Sequence, residues 1–170
     1  LNEGCLKPLK IIAPNGSMIN PKYPAAVIAG NTEVSQNMCD CLFGALGVIA
    51  GSQATMNNFV WGNNRFQNYE TIAGGSGAGP GFNGMSGTQV HMTNTLMTDP
   101  EVLESRFPVR LDVFSIRYGS GGKGKWQGGD GVHRVLRFLE KTTVTTLCSH
   151  RVIPPFGVNG GQAGLVGEDT

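Results

Sequence analysis

The chain has 170 residues, 26 of them glycine; 15% are charged, and the formal net charge is +1. That length suits one domain with a real core, and a near-neutral balance gives no electrostatic reason to bind nucleic acid or an anionic membrane. Charge this sparse, against about 25% in typical soluble domains, points to surface covered by another subunit or by further chain.

In chain order, Leu9–Ala13 and Ala25–Ala29 are short apolar runs, separated by Pro14, an Asn-Gly pair, Pro21 and Pro24. They read as two strands joined by a loop. Asn15-Gly16-Ser17 matches a glycosylation sequon but reads as an Asn-Gly turn. Gly30-Asn31-Thr32 then offers a helix N-cap. Val34, Met38, Cys41, Leu42, Ala45, Leu46 and Ile49 follow the helical period, which predicts one principal helix between Thr32 and Ala50 with that stripe buried. Gly51 is the expected stop. Gly44 and Gly47 inside it each cost about 1 kcal/mol relative to Ala, tolerable if another element packs close.

Met56–Ala73 reads as two strands around a turn at Gly62-Asn63-Asn64. A glycine loop follows at 74–87, then a weakly alternating strand at Gln89–Thr93. Asp99-Pro100-Glu101 starts a short helix, with Asp as N-cap and Pro at the first helical position, ending by Phe107 because Pro108 follows. Val109–Tyr118 alternates and then shifts phase by one, which predicts a bulged strand. A second glycine loop covers 119–131. Val132–Leu139 and Thr143–Cys148 read as a hairpin joined at Glu140-Lys141-Thr142. The fold class is α+β: a strand-dominated mixed β structure with one principal helix and glycine-rich loops, in a single domain over residues 1–170.

The chemistry-bearing motifs are mostly incomplete. Gly119–Lys125 spells GxxxxGK, but Trp126 stands where a phosphate loop needs Ser or Thr, and no helix follows in the sequence. The GxGxxG patterns at Gly79, Gly81, Gly84 and at Gly119, Gly121, Gly124 open no helix either, so a dinucleotide fold is excluded. What remains is glycine backbone that approaches an anion, or two backbones that pack closely. His91, His133 and His150 show no helical metal spacing; His133 and His150 read as surface or packed residues. No serine elbow or cysteine–histidine frame appears. Cys5, Cys39, Cys41 and Cys148 form no CxxC, and read as reduced, packed thiols of a cytoplasmic protein. No apolar run reaches membrane-spanning length, and no signal peptide is visible. The chain starts at Leu1 and ends in GVNGGQAGLVGEDT, as expected of a piece of a longer protein.

Asn94 lies in a Thr-Asn-Thr run outside any helix, where its amide could hold a polar substrate. Asp99 and Glu101 are explained by helix capping alone.

Nearly the whole chain resembles a known family. The segments LNEGCLKPLKIIAPNGSMINP, PAAVIAGNTEVSQNMCD, SQATMNNFVWGN and YETIAGGSGAGPGFNGMSG occur in its order and spacing. The likeness is densest at HMTNTLMTDPEVLESRFPV and GSGGKGKWQGGDGV. Together they resemble the C-terminal part of the hydantoinase B-like half of the ATP-dependent 5-oxoprolinases. The HMTN-to-TDPE element and the GGDG ending favour that family over the N-methylhydantoinases and acetone carboxylases, which stay as alternatives. The resemblance implies a cytoplasmic enzyme of glutathione metabolism that opens the lactam of 5-oxo-L-proline to L-glutamate. A hydantoinase A-like half would use ATP and a divalent metal to phosphorylate the amide oxygen, and the B-like half would complete hydrolysis. It implies Asn94, Asp99 and Glu101 as catalytic residues. It implies His91, Arg106, Gly75, Gly77, Gly79, Gly121 and Gly122 as substrate-binding residues. No metal or nucleotide is expected on this piece, which should be inactive alone; its partners would be the A-like half, a small-molecule substrate and further copies of the full-length chain. Asn37, Leu96 and Gln127 stand where the family pattern has Arg. Loss of Arg at 96, beside Asn94, weakens transfer of substrate specificity, and Arg106 would compensate. The competing class is a non-catalytic docking domain, favoured if Asn94, Asp99 and the 74–87 loop do not line one concave site.

Overall fold

The computed structural model describes Gly4, residues 7–27 and residues 30–170. Among them are two α-helices and five strands, the strands forming two small antiparallel sheets, as the α+β reading requires. Strands β1 (Asn58–Gly62), β2 (Gln67–Thr71) and β5 (Thr143–Leu147) make one sheet in the order β2-β1-β5. Strands β3 (Val109–Ile116) and β4 (Val132–Phe138) make the other.

The β1–β2 hairpin turns at Asn63–Phe66, with Asn63 Oδ1 accepting from Arg65 N–H at 2.9 Å. The bulge of β3 falls at Asp112, where the register to β4 slips between Leu111 and Val113. The expected β4–β5 hairpin does not form. Both strands exist, but β4 pairs with β3 and β5 with β1. The connection between them is held to the β1–β2 turn instead. Asn63 donates to Glu140 Oε1 at 2.7 Å, and Arg65 pairs with Glu140. Arg65, then Asn63, hold the Glu140 carboxyl below its ordinary value.

Helix α2 (Pro100–Arg106) starts as its sequence dictates. Asp99 accepts from Glu101 N–H at 2.9 Å, and Pro100 opens the first turn. Its Leu103 enters the apolar core with Trp61 and Val109. Phe66, Phe107 and Phe138 surround the Trp61 ring edge-on, with centroids 6.0, 5.1 and 5.5 Å away.

The principal helix departs from expectation in three ways. A π-helical turn (Gly30–Val34) runs directly into α1 (Ser35–Leu46), so the N-cap position of α1 falls at Val34, which makes no side-chain cap hydrogen bond. The stop is Gly47 rather than Gly51; its φ of +66° is the left-handed cap that glycine favours. The buried face is polar. Gln36 and Asp40 are 0% and 3% exposed, while Met38, Leu42 and Leu46 are 50%, 52% and 65% exposed. The periodicity located the faces of the helix, but the residues described here cover the opposite one. Gly44 seats the Phe156 ring where a Cβ would collide with it.

Three further expectations fail. Leu9–Ala13 and residues 25–27 form no strand; Ile28 and Ala29 lie outside the described residues. The turn at Asn15–Ser17 does form, with Gly16 N–H donating to Asn20 O at 2.8 Å. Residues 89–93 make a turn rather than a strand, because Thr93 folds back on Val90 through its hydroxyl and its N–H. Cys41 is exposed, not packed; Cys39 and Cys148 are half-buried free thiols, and burial pushes the Cys148 thiol up. Cys5 lies outside the described residues. No helix among the described residues is long and apolar enough to cross a membrane.

Candidate functional site

The two glycine loops meet each other. Gly129 N–H donates to Ser76 O at 2.9 Å, Gly84 N–H to Gln127 O at 2.8 Å and Gly87 N–H to Asp130 O at 2.9 Å. Asp130 also accepts from Gly121 N–H at 2.7 Å. A Cβ on Gly75 would strike the Gly129 carbonyl, and one on Gly129 would strike the Met85 carbonyl. Close backbone packing therefore accounts for these glycines directly.

Beneath the joined loops lies a cavity of about 1010 Å³. Gly75, Gly79, Gly121 and Gly122 line it, together with Trp126 and Phe156. The Lys125 ammonium lies 4.7 Å from the Trp126 ring centroid, and no helix follows it. The nucleotide-binding geometry of a phosphate loop is thus not formed. A second cavity, of about 240 Å³, is walled by Phe43, Ile49, Phe82 and Val90 with His91, Asp40 and Gly77. Ala50, Ser52 and Ser76 line both cavities.

At that shared wall sits a polar cluster. Asp40 Oδ1 is 2.7 Å from His91 Nε2. Asp40 Oδ2 accepts from Ser52 N–H at 2.8 Å and from the Ser52 hydroxyl at 3.0 Å. Ser52 Oγ is 3.2 Å from His91 Nε2 and accepts from Ala54 N–H at 3.1 Å. One helical turn away, Gln36 Oε1 accepts from Met92 N–H at 3.0 Å. Two polar residues four apart on α1 thus pin the 90–93 turn, which explains the polar buried face. His91 itself has φ +53°, a left-handed backbone uncommon outside glycine.

Of the residues nominated from sequence, His91 and Gly77 line the smaller cavity, and Gly75, Gly79, Gly121 and Gly122 the larger. Asn94, Asp99, Glu101 and Arg106 are exposed and line neither cavity. Sequence reasoning missed Asp40, Ser52 and Gln36. The signal was available in the Gln36–Asp40 spacing, which puts two polar side chains on one face of the helix. Among the described residues, no three His, Cys, Asp or Glu side chains gather as a metal-ligand group. Leu96 is 93% exposed, and Asn37 donates to Glu33 O at 2.9 Å.

Comparison with known proteins gives this site its family. The hydantoinase B/oxoprolinase family matches residues 1–170, and the chain belongs to that family. The 5-oxoprolinase of Dictyostelium discoideum is 49% identical over 95% of this chain. 5-Oxoprolinase 1 of Arabidopsis thaliana is 50% identical over 98%, and the 5-oxoprolinase of Saccharomyces cerevisiae is 46% identical over 99%. The chain spans 13%, 13% and 14% of the lengths of these three relatives.

Proposed function

We propose that this chain is part of an ATP-dependent 5-oxoprolinase, in which it contributes to the half that hydrolyses the lactam of 5-oxo-L-proline to L-glutamate. The observation that carries this reading is the near end-to-end likeness to proteins named 5-oxoprolinase in organisms as separate as a plant, a yeast and an amoeba. A lactam is a poor electrophile, and phosphorylating its oxygen gives the former carbonyl carbon a leaving group. ATP and its divalent metal belong to a hydantoinase A-like half, and this piece is inactive alone. The full-length protein is cytoplasmic and homo-oligomeric.

Within the whole enzyme, Asn94, Asp99 and Glu101 face the active site from the surface that this chain leaves open, with Arg106 beside them for the substrate carboxylate. Asn94→Ala in the full-length protein lowers turnover by at least ~10-fold, with the melting temperature little changed. Unchanged turnover reduces the segment to scaffold. The substrate reading is tested by ATP-coupled turnover of the full-length protein on 5-oxoproline, hydantoins and acetone. Preference for 5-oxoproline supports it; preference for either of the others moves the protein to the N-methylhydantoinase or acetone carboxylase class.

A second reading is a docking domain for the hydantoinase A-like half. The exposed apolar stripe of Met38, Leu42 and Leu46 on α1 favours it, and so does the position of Asn94 and Asp99 away from the cavities that the 74–87 loop lines.

A further inference from the structure

The hydrogen bonds around Asp40 decide which nitrogen of His91 is free. Three donors converge on the two Asp40 oxygens: Ser52 N–H, the Ser52 hydroxyl and His91 Nε2. None of these contacts asks Asp40 to donate. Nε2 is therefore the protonated nitrogen, an assignment made from the hydrogen-bond network. Ser52 is not a poised nucleophile. Its hydroxyl proton is spent on Asp40, and its oxygen already accepts from Ala54 N–H. The tautomer leaves Nδ1 with its lone pair, and no hydrogen-bond partner for Nδ1 occurs among the described residues.

A carboxylate-oriented imidazole with one free nitrogen at a cavity wall is the arrangement of a general base. The surroundings suit that role. The His91 side chain is 13% exposed, so it is largely shielded yet reachable. The Phe43 ring lies 5.8 Å from the imidazole and limits its tilt. Among the described residues, Asp40 is the one other titratable group lining this cavity. The left-handed backbone at His91 is held by the Val90–Thr93 turn and by Gln36, so the ring direction is built into the fold.

We propose that His91 is a catalytic residue of the hydrolytic half, acting through Nδ1 on a five-membered cyclic amide activated on its oxygen. Asp40 is its positioning residue. The cavity of about 240 Å³ is below the range of about 300–1,000 Å³ typical for drug-sized ligands, and it suits a single small ring. Phe43, Ile49, Phe82 and Val90 meet the methylene edge, while Ser76 and His91 meet the polar edge. In the reaction, Nδ1 takes a proton from water as the water oxygen bonds to the ring carbon of the O-phosphorylated amide. The proton passes from Nδ1 to the ring nitrogen. The carbon–nitrogen bond then breaks, and the added oxygen becomes a carbonyl as its second proton also reaches nitrogen. The products are an amine and an acyl phosphate, which a second water cleaves to carboxylate and phosphate.

This inference rests on the oxoprolinase reading, so the test separates the two. Wild-type full-length protein is assayed first with 5-oxoproline and ATP; absence of turnover there sinks the oxoprolinase reading itself. Given turnover, His91→Ala lowers kcat by at least ~100-fold with KM changed less than about 3-fold, and added imidazole restores at least ~10-fold. His91→Asn, which tolerates the left-handed backbone, shows the same loss with an unchanged melting temperature. Asp40→Asn lowers kcat by about 10-fold and does not respond to imidazole. Wild-type kcat in both His91 variants, or a loss in His91→Ala that imidazole leaves untouched, overturns the assignment.

Discussion

Glu70 on β2 and Arg134 on β4 form a two-pronged ion pair that ties one sheet to the other. Arg134 Nε donates to Glu70 Oε2 at 2.9 Å and Nη2 to Oε1 at 2.7 Å, with the side chains 4% and 2% exposed. The guanidinium also lies over the Phe114 ring, 5.3 Å from its centroid. Removing one partner leaves a buried charge unanswered. Arg134→Ala is expected to cost about 3–5 kcal/mol in urea unfolding, and the double replacement Glu70→Leu/Arg134→Met markedly less. Equal costs for the two would show that the pair is not buried.

The glycine loops make a steric prediction. Gly75→Ala forces a methyl group into the Gly129 carbonyl, whereas Gly131→Ala meets only Ser120 Oγ at 3.7 Å. Gly75→Ala should cost about 1–3 kcal/mol and loosen the 74–87 loop, and Gly131→Ala less than about 0.5 kcal/mol. Hydrogen exchange at Gly84 and Gly129, whose N–H groups bridge the loops, reads the loosening directly.

Leu103 and Leu42 separate core from surface. Leu103 is fully buried beside Trp61 and Val109, so Leu103→Ala should cost about 2–5 kcal/mol. Leu42, half exposed, should lose less than about 1 kcal/mol on truncation in this chain. A cost above about 2 kcal/mol in the full-length protein would mean that another segment covers the α1 stripe there.

Glu140 gives a pH dependence with a definite sign. Arg65 and Asn63 hold its carboxyl below the ordinary value of 4.5. The folded state therefore binds the proton less readily than the unfolded one. The stabilisation is full above about 4.5 and is lost as pH falls through the lowered folded value. Acid unfolding of Glu140→Gln should be flatter across that window; an identical acid limb would remove Glu140 from the account.

Much of the local structure was legible because its causes are local. Asp99-Pro100 fixes the start of α2, the phase shift at Asp112 announces the bulge, and Gly62-Asn63-Asn64 sets the β1–β2 turn. Partner choice was not. β5 crosses to β1 through contacts between Glu140 and residues some 75 positions earlier, which no window of sequence contains. The same reason hid the candidate site, since Asp40 and His91 are 51 residues apart. The apolar period of α1 told which residues share a face, but not which face the neighbouring chain would cover. Asn94 was singled out by its Thr-Asn-Thr run as well as by resemblance, and it stands exposed, outside both cavities.

The most direct measurement is the stoichiometry of the full-length protein supplied with 5-oxoproline and ATP. The account predicts that L-glutamate and ADP appear together in a ratio near one, with neither formed when the other substrate is withheld. Glutamate formed at the same rate without ATP, or ADP released with no glutamate, would contradict it.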